Sequence, residues 1–220
     1  MRYLLCALAA ALLFPWGCAT APKKEPPEAK PPEVAKRLPP KEQEALALQT
    51  FTEILELTAD VPKRQVLAQM QELYWKIIRE YPDSYYAKES YWRLIIIHLE
   101  DFQPPRIQRA MELYREFLQK YPRHPVRLAI EDTMVRFFYK AKLWKELLEI
   151  VNPVVREFVR TGELKGPFFL FLYAEAKRAL GELEEAEKGY RHVIGLFPSS
   201  TEAKISRRRL KGLKESSSGG

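Results

Sequence analysis

A ten-residue phrase, LYWKIIREYP at positions 73–82, returns forty residues later as LYREFLQKYP at 113–122. A weaker copy, GYRHVIGLFP, occupies 189–198. In each copy a tyrosine (Tyr74, Tyr114, Tyr190) stands eight residues before a proline that follows an aromatic (Tyr81, Tyr121, Phe197). Eight residues are just over two helical turns, so the tyrosine and the helix end share nearly one face. The proline stops the helix because it lacks an N–H and disfavours helix in the residue before it. A unit that ends the same way at intervals is the mark of a repeat array.

The rest of the sequence supports that constraint. Hydrophobic residues make up 46% of the 220 and charged residues 30%, a balance that folds rather than staying disordered. The only cysteines, Cys6 and Cys18, lie in the first eighteen residues, so the body carries no disulfide and no cysteine metal site. Its three histidines, His98, His124 and His192, stand far apart in sequence. No nucleophile elbow, phosphate-cradling glycine loop or paired-histidine helix is present. No catalytic residue, metal or cofactor is assigned, and the chain reads as a non-enzyme. Glu182, Glu184, Glu185 and Glu187, alternating with other residues near Lys188, read as a solvated helix face.

Residues 1–17 carry one early base, Arg2, then an apolar run from Tyr3 to Phe14. That run is shorter than the ~20 residues of a membrane-spanning helix and has the length of a signal-peptide core. Gly17-Cys18 followed by Ala19 resembles the bacterial lipoprotein signal, in which the cysteine is acylated, traceable with palmitate, and becomes the new N-terminus. Pro15 and Trp16 depart from that pattern. An ordinary cleaved signal and an uncleaved anchor are the competing readings. The resemblance implies lipidation at Cys18, and Ala19 in place of aspartate points to the outer membrane, periplasmic face. Paired prolines at 26–27, 31–32 and 39–40 then make 18–40 an extended polyproline linker, with a reach on the order of 60 Å.

From 41 the apolar pattern turns helical, and a folded domain is expected over 41–214 with a disordered tail at 215–220. Helices are expected at 41–59, after Pro62 to Tyr81, from Tyr85 to about Leu99, 108–120, 126–139, 143–160, 168–180, 183–196 and from Thr201 to about Leu213. Asp83 and Ser84 are N-cap candidates, Gly181 is a C-cap, and Pro153 should kink or split the sixth helix. No stretch alternates with period two for long enough to make a strand. The fold class is therefore all-α, in antiparallel helix pairs.

The pairing and spacing, with Gly181, Ala186, Tyr190 and Pro198 in the last pair, resemble the tetratricopeptide repeat (TPR). Leu94, Ala110, Tyr114, Phe117 and Pro122 match in the second pair, and Tyr74, Ile77 and Pro82 in the first. The third pair is degenerate: Leu147 and Val151 replace the alanine and the aromatic, and no proline closes it. The resemblance implies a right-handed superhelix of about four pairs with a C-terminal capping helix.

A lipoprotein signal followed by YPDSYYAKESYWRL at 81–94 is similar to the BamD-type lipoproteins of outer-membrane β-barrel assembly. That similarity implies a periplasmic scaffold docking a barrel-assembly subunit and client chains; the linker and the number of pairs depart from it. Other envelope scaffolds, in cell-division coordination or in pilus or secretin assembly, share its features. The net charge of +7 also leaves open a remote nucleic-acid binder, which requires the leader to be misread.

In such a solenoid the first helices of successive pairs line the concave binding face. The register places Trp92 and Ile96 there from the second pair, Asp132, Arg136 and Tyr139 from the third, and Phe171, Glu175 and Arg178 from the fourth. Trp92 packed among its neighbours is the competing reading. Arg207, Arg208 and Arg209, with Lys204, Lys211 and Lys214, make the last helix basic: either a polar end cap or a docking face for an acidic partner or lipid headgroups.

Overall fold

The three repeated phrases end in one backbone conformation. Tyr81, Tyr121 and Phe197 have φ/ψ of −126/51, −135/53 and −133/56, and their N–H groups donate to Ile77, Phe117 and Val193. Three residues after each, Ser84, His124 and Ser200 donate back to the carbonyls of those aromatics at 3.1, 3.1 and 3.0 Å. The proline next to the aromatic forces this exit, since it cannot continue the helical ladder. Sequence identity at the joint has become structural identity.

A computed structural model of the chain describes residues 38–164 and 166–218. Cys18, the leader and the linker before residue 38 lie outside the described residues. All the described regular structure is helical: α1 (Pro40–Leu57), α2 (Lys63–Glu80), α3 (Tyr85–Ile96), α4 (Ile107–Lys120), α5 (Val126–Ala141), α6 (Trp144–Thr161), α7 (Phe168–Ala179), α8 (Leu183–Leu196) and α9 (Thr201–Ser218). A π-helical turn, Ile97–Asp101, extends α3, and the Gln103–Pro104 peptide is cis. Consecutive helices pack as antiparallel pairs, and first helices also touch, α1 with α3 and α3 with α5.

Tyr74, Tyr114 and Tyr190 are buried at 4, 5 and 0% exposure, between helices as their register requires. Leu147 and Val151, at the matching places in α6, are also fully buried, so the degenerate pair keeps its core with different shapes. Ser84 caps α3, accepting from Ala87 N at 3.1 Å. Tyr121 donates from its hydroxyl to the Pro82 carbonyl at 2.8 Å, and Lys88 donates to that carbonyl at 3.1 Å.

Two expectations about helix ends are corrected. Pro153 does not split α6, which continues through it to Thr161. Pro153 and Glu149, one turn before it, both lie on the exposed side, so the carbonyl deprived of its donor faces water. The last helix runs to Ser218 rather than ending near Leu213.

Candidate functional site

The residues read as lining a groove divide into two sets. Phe171 and Glu175 belong to the interior, at 6 and 1% exposure, and their assignment to the binding face is overturned. The helical register places them correctly on α7, but Arg209 of α9 covers Glu175 and the Tyr190 ring of α8 packs against Phe171. Glu175 is the centre of a buried network. It accepts from the Tyr190 hydroxyl, from Arg209 at 2.9 and 3.1 Å, and from the Tyr139 hydroxyl at 3.2 Å. Arg178 adds a contact at 3.5 Å and donates to Tyr190 at 3.2 Å. Burial alone would raise the Glu175 carboxyl, but the Tyr190 and Arg209 hydrogen bonds and the arginine charges together hold it below the ordinary range. Tyr139 and Arg178, half-exposed, are therefore ties between α5, α7, α8 and α9 more than free groove residues.

The second set forms a strip at the surface. The half-buried Trp92 donates from its indole to Thr133 Oγ1 at 2.9 Å, which ties α3 to α5. Trp92 is thus both packed and partly open, with the Arg93 guanidinium 5.1 Å from its ring. Ile96, one turn on, is also half-buried. On α5, Arg136 pairs with Asp132 at 2.7 Å, with 63 and 45% of the two side chains exposed. The Arg136 guanidinium lies 4.6 Å from the Phe168 ring at the start of α7. Trp92, Ile96, Asp132 and Arg136 thus lie along one strip across α3 and α5, reaching toward α7.

A cleft of about 620 Å³, which no repeat motif marks, opens between α5, α6 and the start of α7. The α4–α5 turn and the start of α5 supply Pro122, Arg123, His124, Pro125 and Leu128. The middle of α6 supplies Pro153, Val154 and Glu157, and the connection to α7 supplies Glu163, Leu164 and Phe169. The lining is mostly apolar, with Arg123 on one rim and Glu163 on the other, neither in an ion pair among the described residues. Arg127 is held by Glu131 at 2.6 Å. Burial, then the Lys88 charge, keeps His124 below its ordinary pKa, so it is neutral in the cleft at neutral pH. The signals that point to this place are Pro153, the missing closing proline of the third pair, and the Gly166-Pro167 connection. Each was visible in the sequence, but none alone indicates that two helices separate.

The three arginines of α9 do not act as one face. Arg209 turns inward to Glu175, Arg207 donates to the Pro198 carbonyl at 3.0 Å, and Arg208 points to solvent. At 100° per residue, adjacent side chains cannot share a direction.

With this geometry in view, residues 169–200 match the family model of the tetratricopeptide repeat. The fold is a TPR-like helical solenoid. The match covers α7, α8 and the turn after α8, the pair in which Gly181, Ala186, Tyr190 and Pro198 all stand in place. No curated protein matches the chain. Among the described residues no group of three or more histidine, cysteine or acidic side chains is placed to hold a metal, and no described helix is long and apolar enough to cross a membrane. Repeats of this kind are scaffolds for protein–protein interaction.

Proposed function

We propose that this chain is a periplasmic scaffold, held at the outer membrane through Cys18, that gathers proteins during β-barrel assembly. The observation that carries the binding part is the cleft between α5, α6 and the start of α7, continuous in the chain with the Trp92–Arg136 strip. Its apolar floor and charged rims suit an extended peptide, whose side chains fill the floor while its polar groups meet the rims. The lipoprotein-like leader and the YPDSYYAKESYWRL element support the location and the assembly role. A multiply acylated cysteine holds firmly, because each buried methylene contributes about 0.8 kcal/mol.

The test is a photo-crosslinker at Leu128, 59% exposed on the cleft rim, in intact cells followed by mass spectrometry. A barrel-assembly subunit and unfolded barrel chains are the expected adducts. Adducts drawn only from another envelope machine would overturn the assembly role, and no protein adduct would overturn peptide binding at the cleft. Palmitate incorporation that survives Cys18→Ser would overturn the anchor.

A further inference from the structure

The two ends of the array carry opposite charge. At one end, α1 has a single lysine against four glutamates. Its outer side presents Leu48 and Leu55, 47 and 58% exposed and two turns apart, with the exposed Glu56 about a quarter-turn round the helix from them and the exposed Glu53 farther round the same open arc. Neither glutamate is in an ion pair among the described residues, and no described helix packs over that side of α1, whose neighbours are α2 and α3. At the other end, α9 has six cations against two glutamates. Lys204, Arg208 and Lys211 recur at four- and three-residue steps and are exposed, forming one outward stripe. Arg209, gripped by the buried Glu175, fixes the rotation of α9 so that this stripe faces away from the array.

We propose that these two ends bind each other between copies, α9 of one protein docking on α1 of the next. The occupant is a second copy because both halves of the charge match are carried by one chain. The aliphatic stems of Lys204, Arg208 and Lys211 can cover Leu48 and Leu55 while their long side chains carry the charged ends round the open arc of α1 toward Glu56 and Glu53. An acidic partner protein would satisfy α9 but leave the leucines of α1 bare. A lipid surface would use α9 alone, and the apolar side of that helix is already spent on α8. A head-to-tail contact of this kind is heterologous, so copies either close into a ring or extend as a filament. This inference does not depend on the barrel-assembly reading.

The experiment is sedimentation velocity on the purified full chain across a concentration series, in low and high salt. Average mass should rise with concentration at about 50 mM salt and fall toward the monomer at about 500 mM, where screening is several-fold shorter in range. Arg208→Glu with Lys211→Glu, and separately Glu53→Lys with Glu56→Lys, should each weaken association by at least about tenfold, with helical circular dichroism unchanged. Mixing the two variants should restore association, since each then offers the charge that the other lacks. A wild-type chain that stays monomeric at low salt would overturn the proposal. Association that survives either charge reversal, or a mixture that stays monomeric, would do the same.

Discussion

The third and fourth helix pairs have the same connection and different consequences. Both first helices end in the same hydrogen-bonded turn: Lys142 and Leu143 donate to Tyr139 and Phe138, and Gly181 and Glu182 donate to Arg178 and Lys177. In the fourth pair the left-handed position is Gly181, at φ +82; in the third it is Lys142, at φ +59. The fourth pair then closes tightly. A Cβ on Gly189 would lie 2.8 Å from Ala174 Cβ, so the two helices meet almost backbone to backbone. The third pair places Leu147 and Val151 at the places of Ala186 and Tyr190, and α6 runs on past Pro153 to a left-handed cap at Gly162 in place of an aromatic–proline exit. The second half of α6 contributes Pro153, Val154 and Glu157 to the lining of the cleft. Small residues at the crossing and a proline at the exit shut a pair. Where both are missing, the array opens a site.

The contrast breaks most readily at Glu175. Glu175→Ala would leave Arg209, Tyr190 and Tyr139 without their shared acceptor, and a loss of about 3–5 kcal/mol is expected in chemical denaturation. Acid tests the same tie. Because the folded carboxyl titrates below its ordinary value of 4.5, its contribution is present above that pH and is lost as pH falls through the lowered folded value. Glu175→Gln should therefore be less stable at neutral pH and show a flatter decline in acid than the natural chain.

A smaller effect is expected at the crossing. Gly189→Ala must push α8 from α7, at a cost of about 1–3 kcal/mol, read from the denaturation midpoint. No cost of this size would mean that the backbone approach is not what shuts the fourth pair. The smallest effect has the opposite sign. Lys142→Gly removes the strain of a side chain in the left-handed region and should stabilise the protein by up to about 1 kcal/mol, while Gly181→Lys should destabilise it by a similar amount. If the two changes fail to mirror each other, the turns are not equivalent.

Residues that repeat were legible in the sequence, and residues that act across repeats were not. Ser84 and Gly181 have roles set by neighbours within a few positions, and the three tyrosines stand at the buried position of a recurring helical register, so spacing alone placed them. Glu175 and Phe171 were misplaced because their surroundings are set by other helices, Arg209 of α9 for Glu175 and Tyr190 of α8 for Phe171, whose packing no helical register on α7 reports. Arg209 parted from Arg207 and Arg208 for the same reason. The cleft was missed because it arises from what the third pair lacks, and an absent alanine or proline does not announce what the backbone does instead. Trp92 lay between these cases: its half-buried place on α3 follows from spacing, but its hydrogen bond to Thr133 needed the neighbouring pair to be in place.

The hydroxyl of Tyr121 on the Pro82 carbonyl, with Lys88 on the same oxygen, joins the closing turns of the first two pairs directly. At the third copy of the joint the matching residue is Phe197, which has no hydroxyl to offer. The latch therefore fastens one half of the array and has no counterpart in the other. Fraying of the second turn would take the Tyr121 hydroxyl from the half-buried Pro82 carbonyl, so these two turns are expected to open together in hydrogen exchange. The third and fourth pairs are tied in another way, through the Glu175 carboxylate that joins Tyr139 of α5 to Tyr190 of α8 and Arg209 of α9.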